Sequence, residues 1–194
     1  MTESVTHADS RAVLPGWIAG TWTIDPAHSF VGFTVRRLMG KVHGRFTAFD
    51  ARIVTEEDPA DSTVTATIDL ASVDTGVEMR DNHLRSDAFF DVENTPVMRF
   101  ASSSLRHAGE NWVLTGDLTI RDVTRPVDIE LAFIGIVPAD VAGVVTAARI
   151  GFEGRTTVMR SDFGLSFGLA VDGSKVIVHD RVTITLDVEA VLDA

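Results

Sequence analysis

Residues 164–168 read G-L-S-F-G. This is the G-x-S-x-G spacing of a nucleophile elbow, in which a serine on a tight strand-to-helix turn attacks an acyl carbon. Such a serine needs a histidine base and an acid to orient that base. Asp172 and His179 follow Ser166 in the required order. The segment after Gly168, however, carries a D-G turn signal at 172–173 and then alternates apolar with polar residues as a strand does. A nucleophile elbow needs a helix there. The expectation is therefore that Gly164 and Gly168 serve a tight connection and that Ser166 bonds local backbone. No catalytic residue is assigned.

The six histidines are His7, His28, His43, His83, His107 and His179. His83 and Asp87 stand four residues apart, and His28 and His43 flank one predicted strand, where they could meet across a hairpin. Two ligands do not make a zinc site, so no metal and no cofactor is assigned. With no cysteine in the chain, thiol catalysis, disulfides and Cys-based metal centres are excluded. R-D-N-H-L-R-S-D at 80–87 gathers Arg80, Asp81, Arg85 and Asp87. These residues read as a charge-paired helix surface, or alternatively as a polar gate over a cavity. Walker A, G-x-G-x-x-G and H-E-x-x-H patterns are absent.

Apolar residues carry more information. The chain has eleven phenylalanines and no tyrosine. An interior of Phe without Tyr has few polar handles, which suits a hydrocarbon ligand that offers no hydrogen bonds. The same residues could equally fill a solid core. The net charge of -11 argues against a nucleic-acid partner, which needs clustered Lys and Arg. It also disfavours docking on anionic lipid through a basic patch.

The elements that must position these residues are strands. Val64, Ala66, Ile68 and Leu70 alternate with Thr65, Thr67 and Asp69. The same period of two runs through 112–120, 127–133 and 182–189. Strands are expected near 21–25, 29–37, 42–54, 62–72, 97–106, 111–121, 125–137, 145–158 and 176–191, the first two read as one strand bent at Pro26. Long consecutive strands leave costly edges unless the sheet closes. The expectation is an all-β fold, a closed antiparallel barrel of eight strands, with a two-sheet sandwich as its rival. One segment, 76–88, shows helical spacing and predicts a short helix inserted between strands, capped by Asp74 or Thr75. Residues 1–16 read as a flexible tail and 17–194 as the barrel domain. The start of the chain shows no signal peptide and no stretch long and apolar enough to span a bilayer, so a cytoplasmic location is expected.

Four stretches occur together in order: I-D-P-A-H-S at 24–29, R-D-N-H-L-R-S-D-A-F-F-D at 80–91, G-D-L-T-I-R-D-V-T-R-P at 116–126 and R-S-D-F-G at 160–164. In combination they resemble the YceI family of polyisoprenoid-binding proteins, from about residue 21 to the C-terminus. The resemblance implies a lipocalin-like barrel with an apolar tunnel that holds a polyisoprenoid lipid, such as a quinone tail or a polyprenyl chain. It implies a carrier, store or shield and no catalysis, and it allows a homodimer. Stable membrane insertion is not expected. Under it, Val31, Phe33, Val35, Phe46, Leu84, Phe89, Phe90, Phe100, Phe133, Phe152, Phe163 and Phe167 become tunnel lining. His28, Arg37, Asp81, His83 and Asp162 become a polar rim, Arg37 standing where relatives often carry His. The helix at 76–88 and the segment near 160–168 become the mouth. Two alternatives stay open: an enzyme acting on a hydrophobic substrate inside the barrel, and a ligand-dependent stress or sensor protein.

Overall fold

The computed structural model describes residues 14–140, 147–168 and 178–194. Most of the expected tail, residues 1–13, lies outside the described residues. Leu14 to Trp17 form a turn closed by Trp17 N–H donating to the Leu14 carbonyl at 3.1 Å.

Among the described residues eleven strands and one α-helix follow. They are β1 (Gly20–Ile24), β2 (Phe30–Arg37), β3 (Gly40–Phe46), β4 (Phe49–Thr55), β5 (Thr63–Asp69), β6 (Val73–Asp74), α1 (Glu78–Arg85), β7 (Val97–Ala108), β8 (Asn111–Ile120), β9 (Val123–Val137), β10 (Arg149–Met159) and β11 (Val178–Leu192). All pairings are antiparallel. The order β1-β4-β5-β7-β8-β9-β10-β11 returns to β1, so eight strands close a barrel, and β2, β3 and β6 extend the wall beyond β11. Closure removes the edges that long strands would otherwise expose. The expected eight-stranded barrel is the observed fold, and the sandwich is not.

Three successive strands of the sequence reading bend at one level of the wall. β1 and β2 both pair with the same strand, β11, through Leu192–Ala190 and Asp187–Val178 respectively. They are two halves of one path broken at Asp25–Ser29, close to the bend expected at Pro26. The strand expected at 42–54 is also two: β3 pairs with β2 and β6, whereas β4 pairs with β1 and β5. Thr47 pins this break, its N–H and hydroxyl both donating to the Ser72 carbonyl at 3.2 Å. The third break is the 3₁₀ turn Leu70–Ser72, whose start is capped by Asp69 accepting from Ala71 N–H at 2.8 Å.

The helix forms where expected but is shorter, and neither Asp74 nor Thr75 caps it. Its N-cap is Val77, without a side-chain bond. Asp81 instead reaches back to accept from Thr75 N–H at 3.0 Å, and Asp74 accepts from Gly76 N–H at 2.9 Å. Arg80 and Arg85 do not pair with Asp81 and Asp87. Arg80 bonds Thr75, and Arg85 donates to the carbonyls of Ala71 and Val73, each at 2.7 Å. The helix is strapped by its arginines to the 71–75 segment, and this strap replaces the charge-paired surface that the sequence predicted.

The inward faces of the alternating strands form the main apolar cluster, with Ile68, Leu70, Phe100, Leu114, Leu118 and Ile129 buried. A second cluster around Trp22, Ile53, Ala148, Ile150 and Ala190 closes one end. There the fully buried Trp22 donates its indole N–H to Thr55 Oγ1 at 2.8 Å.

Candidate functional site

The barrel interior is hollow in two adjacent places. The inner chamber, about 160 Å³, is bounded by Ile24, Ile53, Phe100, Leu114, Ile129 and Phe152 among others. The mouth chamber, about 450 Å³, lies between β2, β3, α1, the 3₁₀ turn Arg160–Phe163 and the start of β11. Met98 and Ile184 line both, so the two chambers are adjacent inside the barrel. The mouth chamber alone falls within the usual size of small-molecule sites, about 300–1,000 Å³.

Phe33, Val35, Phe46, Leu84, Phe89, Phe90, Phe163 and Phe167 line the mouth chamber, as do Arg37 and His83. Val31, Phe100 and Phe152 line the inner chamber. Phe133 lines neither; it packs at the closed end against Trp17 and Phe152, ring centroids 5.7 Å apart in each case. Asp81 is buried beneath the rim and spent on Thr75. His28 sits outside the closed end, bonded to Asp25. Asp162 borders a groove of about 790 Å³ on the outer wall, where β9 and β10 pair only as far as Glu130 and Arg155 and then diverge.

The aromatic lining is continuous. Phe33 stacks beside Phe46 with centroids 5.6 Å apart, Phe46 beside Phe90 at 6.1 Å, and Phe90 edge-on to Phe89 at 4.9 Å. Phe33 can lie flat because Gly44 faces it on β3; a Cβ there would stand 2.3 Å from the Phe33 ring. At the rim the His83 ring meets Phe167 edge-on at 4.4 Å. Among the described residues no carboxylate lines the mouth chamber; its polar side chains there are Arg37, Thr75, Arg80, His83 and Arg160.

Sequence reasoning missed Arg160. It is 3% exposed. Its guanidinium donates to three backbone carbonyls, Leu165 at 2.6 Å, Val178 at 2.9 Å and His179 at 3.0 Å. Burial pushes it below the ordinary arginine range, partly offset by the Asp180 carboxylate. Asp180 itself accepts from Ser161 N–H and hydroxyl, at 2.8 and 2.6 Å. The R-S-D-F-G segment thus clamps the mouth to the start of β11. The sequence marked Arg160 only as the first residue of the R-S-D-F-G stretch and gave it no role. Gly164 and Gly168 both take left-handed φ, 74° and 72°, which glycine adopts without a Cβ penalty. Ser166 is exposed, and its backbone N–H bonds the Gly164 carbonyl at 3.1 Å. Among the described residues no histidine bonds its hydroxyl. Asp172 lies outside the described residues.

His28 and His43 do not meet. His43 pairs across the hairpin with Thr34, to which its Nδ1 is bonded at 3.0 Å, and His28 lies beyond the other end of β2. Asp25, His28 and Glu189 could gather three ligand atoms, but Arg149 bonds both carboxylates, meeting Asp25 at 2.8 Å. The cluster is an ion-pair network at the closed end. The hydrogen bonds from Arg149 and His28 hold Asp25 down to about 2.

Comparison with known proteins follows the same geometry. BcnA of Burkholderia cenocepacia superposes with a TM-score of 0.72 at 26% identity, over 86% of this chain and 98% of that one. A polyisoprenoid binding domain of Saccharophagus degradans gives 0.67 at 17% identity, over 91% of this chain and all of that one, a likeness of fold alone. Among sequences, UPF0312 protein plu2095 of Photorhabdus laumondii is 35% identical over 156 residues, 78% of this chain and 79% of that protein. Protein YceI of Escherichia coli O157:H7 is 34% identical over 163 residues, 82% of this chain and 83% of that protein. The family model of the YceI-like domain matches residues 22–190, and the chain belongs to that family.

Proposed function

We propose that the tunnel binds a long-chain polyisoprenoid lipid and that the protein acts as its carrier, store or shield. The observation that supports this most is the two-chamber interior, apolar along its length and rimmed at one end by Arg37, Arg80 and His83. The chain would lie along Phe33, Phe46, Phe90 and Phe100, with its polar head among the rim cations. The Saccharophagus degradans domain, which shares the fold, is described as polyisoprenoid binding.

Energetics favour a shielding role over irreversible capture. Each CH₂ removed from water gains about 0.8 kcal/mol, so a free polyisoprenoid strongly prefers the tunnel to water. A bilayer is already apolar, and transfer from it gains much less. Exchange with membranes therefore stays reversible. The reading assigns no catalysis: the serine and the histidines lack the mutual geometry of an acid–base pair among the described residues. Pairing into a homodimer belongs to the same proposal and is read by light scattering.

The test is native mass spectrometry of the purified full chain, followed by organic extraction. A co-purifying isoprenoid near one per chain supports the reading and names the cargo. A protein that is empty and fails to take up quinones or polyprenols overturns it.

A further inference from the structure

Scattered single apolar residues on a surface need no explanation. Here they are not scattered. Nine large apolar side chains of the described residues are exposed, and five of them, Leu38, Met39, Val77, Met79 and Phe167, converge on the mouth end of the barrel. Met39 is 96% exposed and Met79 85%. Val77, Met79 and Phe167 line the mouth chamber itself, while Leu38 and Met39 form the two-residue tip of the β2–β3 hairpin, where Arg37 pairs with Gly40.

That tip breaks the local rules. Two-residue hairpin loops favour Gly, Asn or Asp, because they require left-handed backbone. Leu38 takes φ 46°, a conformation unfavourable to a branched apolar side chain. Residues that violate local preference while exposing apolar surface concentrate at functional places. The hairpin tip is also basic. Arg36, Arg37 and Lys41 flank the tip, and among the described residues none of them is ion-paired; Arg80 adds a fourth cation at the rim. Glu78 on the first turn of α1 stands against them, as do Asp162 and Asp180 at the Arg160 clamp.

We propose that the mouth end is a membrane-docking surface, in which the apolar tips enter the interface of an anionic bilayer and the flanking cations meet its head groups. The partner follows from the pairing of apolar tips with positive charge, which is how interfacial segments hold to acidic lipid. The net charge of -11 does not oppose this locally. Charges act over a Debye length, about 8 Å in physiological salt, whereas β11 alone runs 15 residues, about 50 Å at the usual strand rise. Acidic groups toward the closed end are several screening lengths from the lipid. Docking goes beyond cargo binding and does not depend on the identity of the cargo.

The experiment is flotation of the full chain with phosphatidylcholine vesicles and with vesicles of mixed phosphatidylcholine and phosphatidylglycerol, both free of isoprenoid. Wild type should float with the mixed vesicles and release as salt rises. Met39→Asp combined with Met79→Asp, and separately Arg36→Glu combined with Lys41→Glu, should each weaken binding about tenfold or more. Both pairs are exposed, so folding is not at stake, and melting temperature checks this. Ile134→Asp with Val137→Asp, exposed apolar residues of β9, should change nothing. Failure of wild type to float overturns the proposal, as does equal binding by the mouth variants and wild type. So does flotation only when isoprenoid is present, which would mean cargo extraction without docking. A protein that captures a protein partner through these residues but ignores vesicles also overturns it. Lipid content, measured on the same samples, reports on cargo binding separately.

Discussion

Replacing Arg160 by leucine tests what holds the mouth together. Two effects oppose one another. Removing a buried guanidinium with no bonded carboxylate relieves its desolvation, which by itself stabilises. It also orphans the carbonyls of Leu165, Val178 and His179, which accept from Arg160 at 2.6–3.0 Å. The bond to Leu165 is buried and those to Val178 and His179 are part-buried; a buried acceptor left without a partner costs about 1–3 kcal/mol, and one that water can reach costs less. Together these losses outweigh the relief, since leucine replaces none of the three bonds. The net expectation is a loss of about 3–5 kcal/mol. In a domain of this size each kcal/mol moves the melting temperature about 2–4 °C, so a drop of about 10 °C should appear in thermal circular dichroism. Hydrogen exchange should speed at 160–168 and 178–180 before the rest of the barrel. Arg160→Lys should recover little, because one ammonium cannot span three carbonyls that a planar fork reaches together. A leucine variant that melts within about 2 °C of wild type, or above it, would refute the latch and show that desolvation dominates.

Other substitutions probe the tunnel and the closed end. Phe33→Asp places a carboxylate in the apolar mouth chamber and should abolish lipid retention while leaving the barrel partly folded; lipid at wild-type occupancy in extracted samples would remove Phe33 from the lining. Gly116→Ala would set a Cβ 2.4 Å from the Phe100 ring and 2.6 Å from the Ala101 carbonyl oxygen. The ring can move but the backbone cannot, so a loss of about 1–3 kcal/mol is expected in denaturant titration. Asp25 has a carboxyl held at about 2 against about 4 unfolded. Its stabilisation is therefore complete above pH 4 and lost as pH falls toward 2. Asp25→Asn should lower the melting temperature at neutral pH and flatten its dependence across that acid window, whereas an unchanged slope would mean that Arg149 does not hold the carboxylate.

Much of the wall was legible because alternation is a direct consequence of pleating. Val182, Ile184, Leu186 and Val188 share a face in the sequence, and all four line the tunnel. A change of partner leaves only a slip of phase. In the run 42–54 the inward residues pass from Val42, Gly44 and Phe46 to Phe49, Ala51 and Ile53, and the slip at Thr47–Ala48, read as one continuous strand, marks where β3 ends and β4 takes other neighbours. Phe133 was set among the lining by its period, yet the bulge that leaves Ile134 unpaired turns this end of β9 toward Trp17. Arg160 was invisible for a different reason. Its partners are carbonyls, which every residue carries, so no residue type marks them.

Left-handed backbone occurs at both ends of the barrel, at Gly16, Gly109, Gly135 and Asp140 as well as around the mouth. Leu38 takes left-handed backbone, Val77 starts a helix without a cap, and Gly164 and Gly168 are needed where a run would otherwise stay extended. All four lie around one opening. At the other end Trp22, Thr55 and the Asp25–Arg149–Glu189 network satisfy their polar groups and pack densely. Local opening free energy follows packing and protected hydrogen bonds, so the mouth must open more readily than the base. A mouth that opens first would admit a ligand there, through residue types such as Leu38 at φ 46° that cost the fold some stability where they stand.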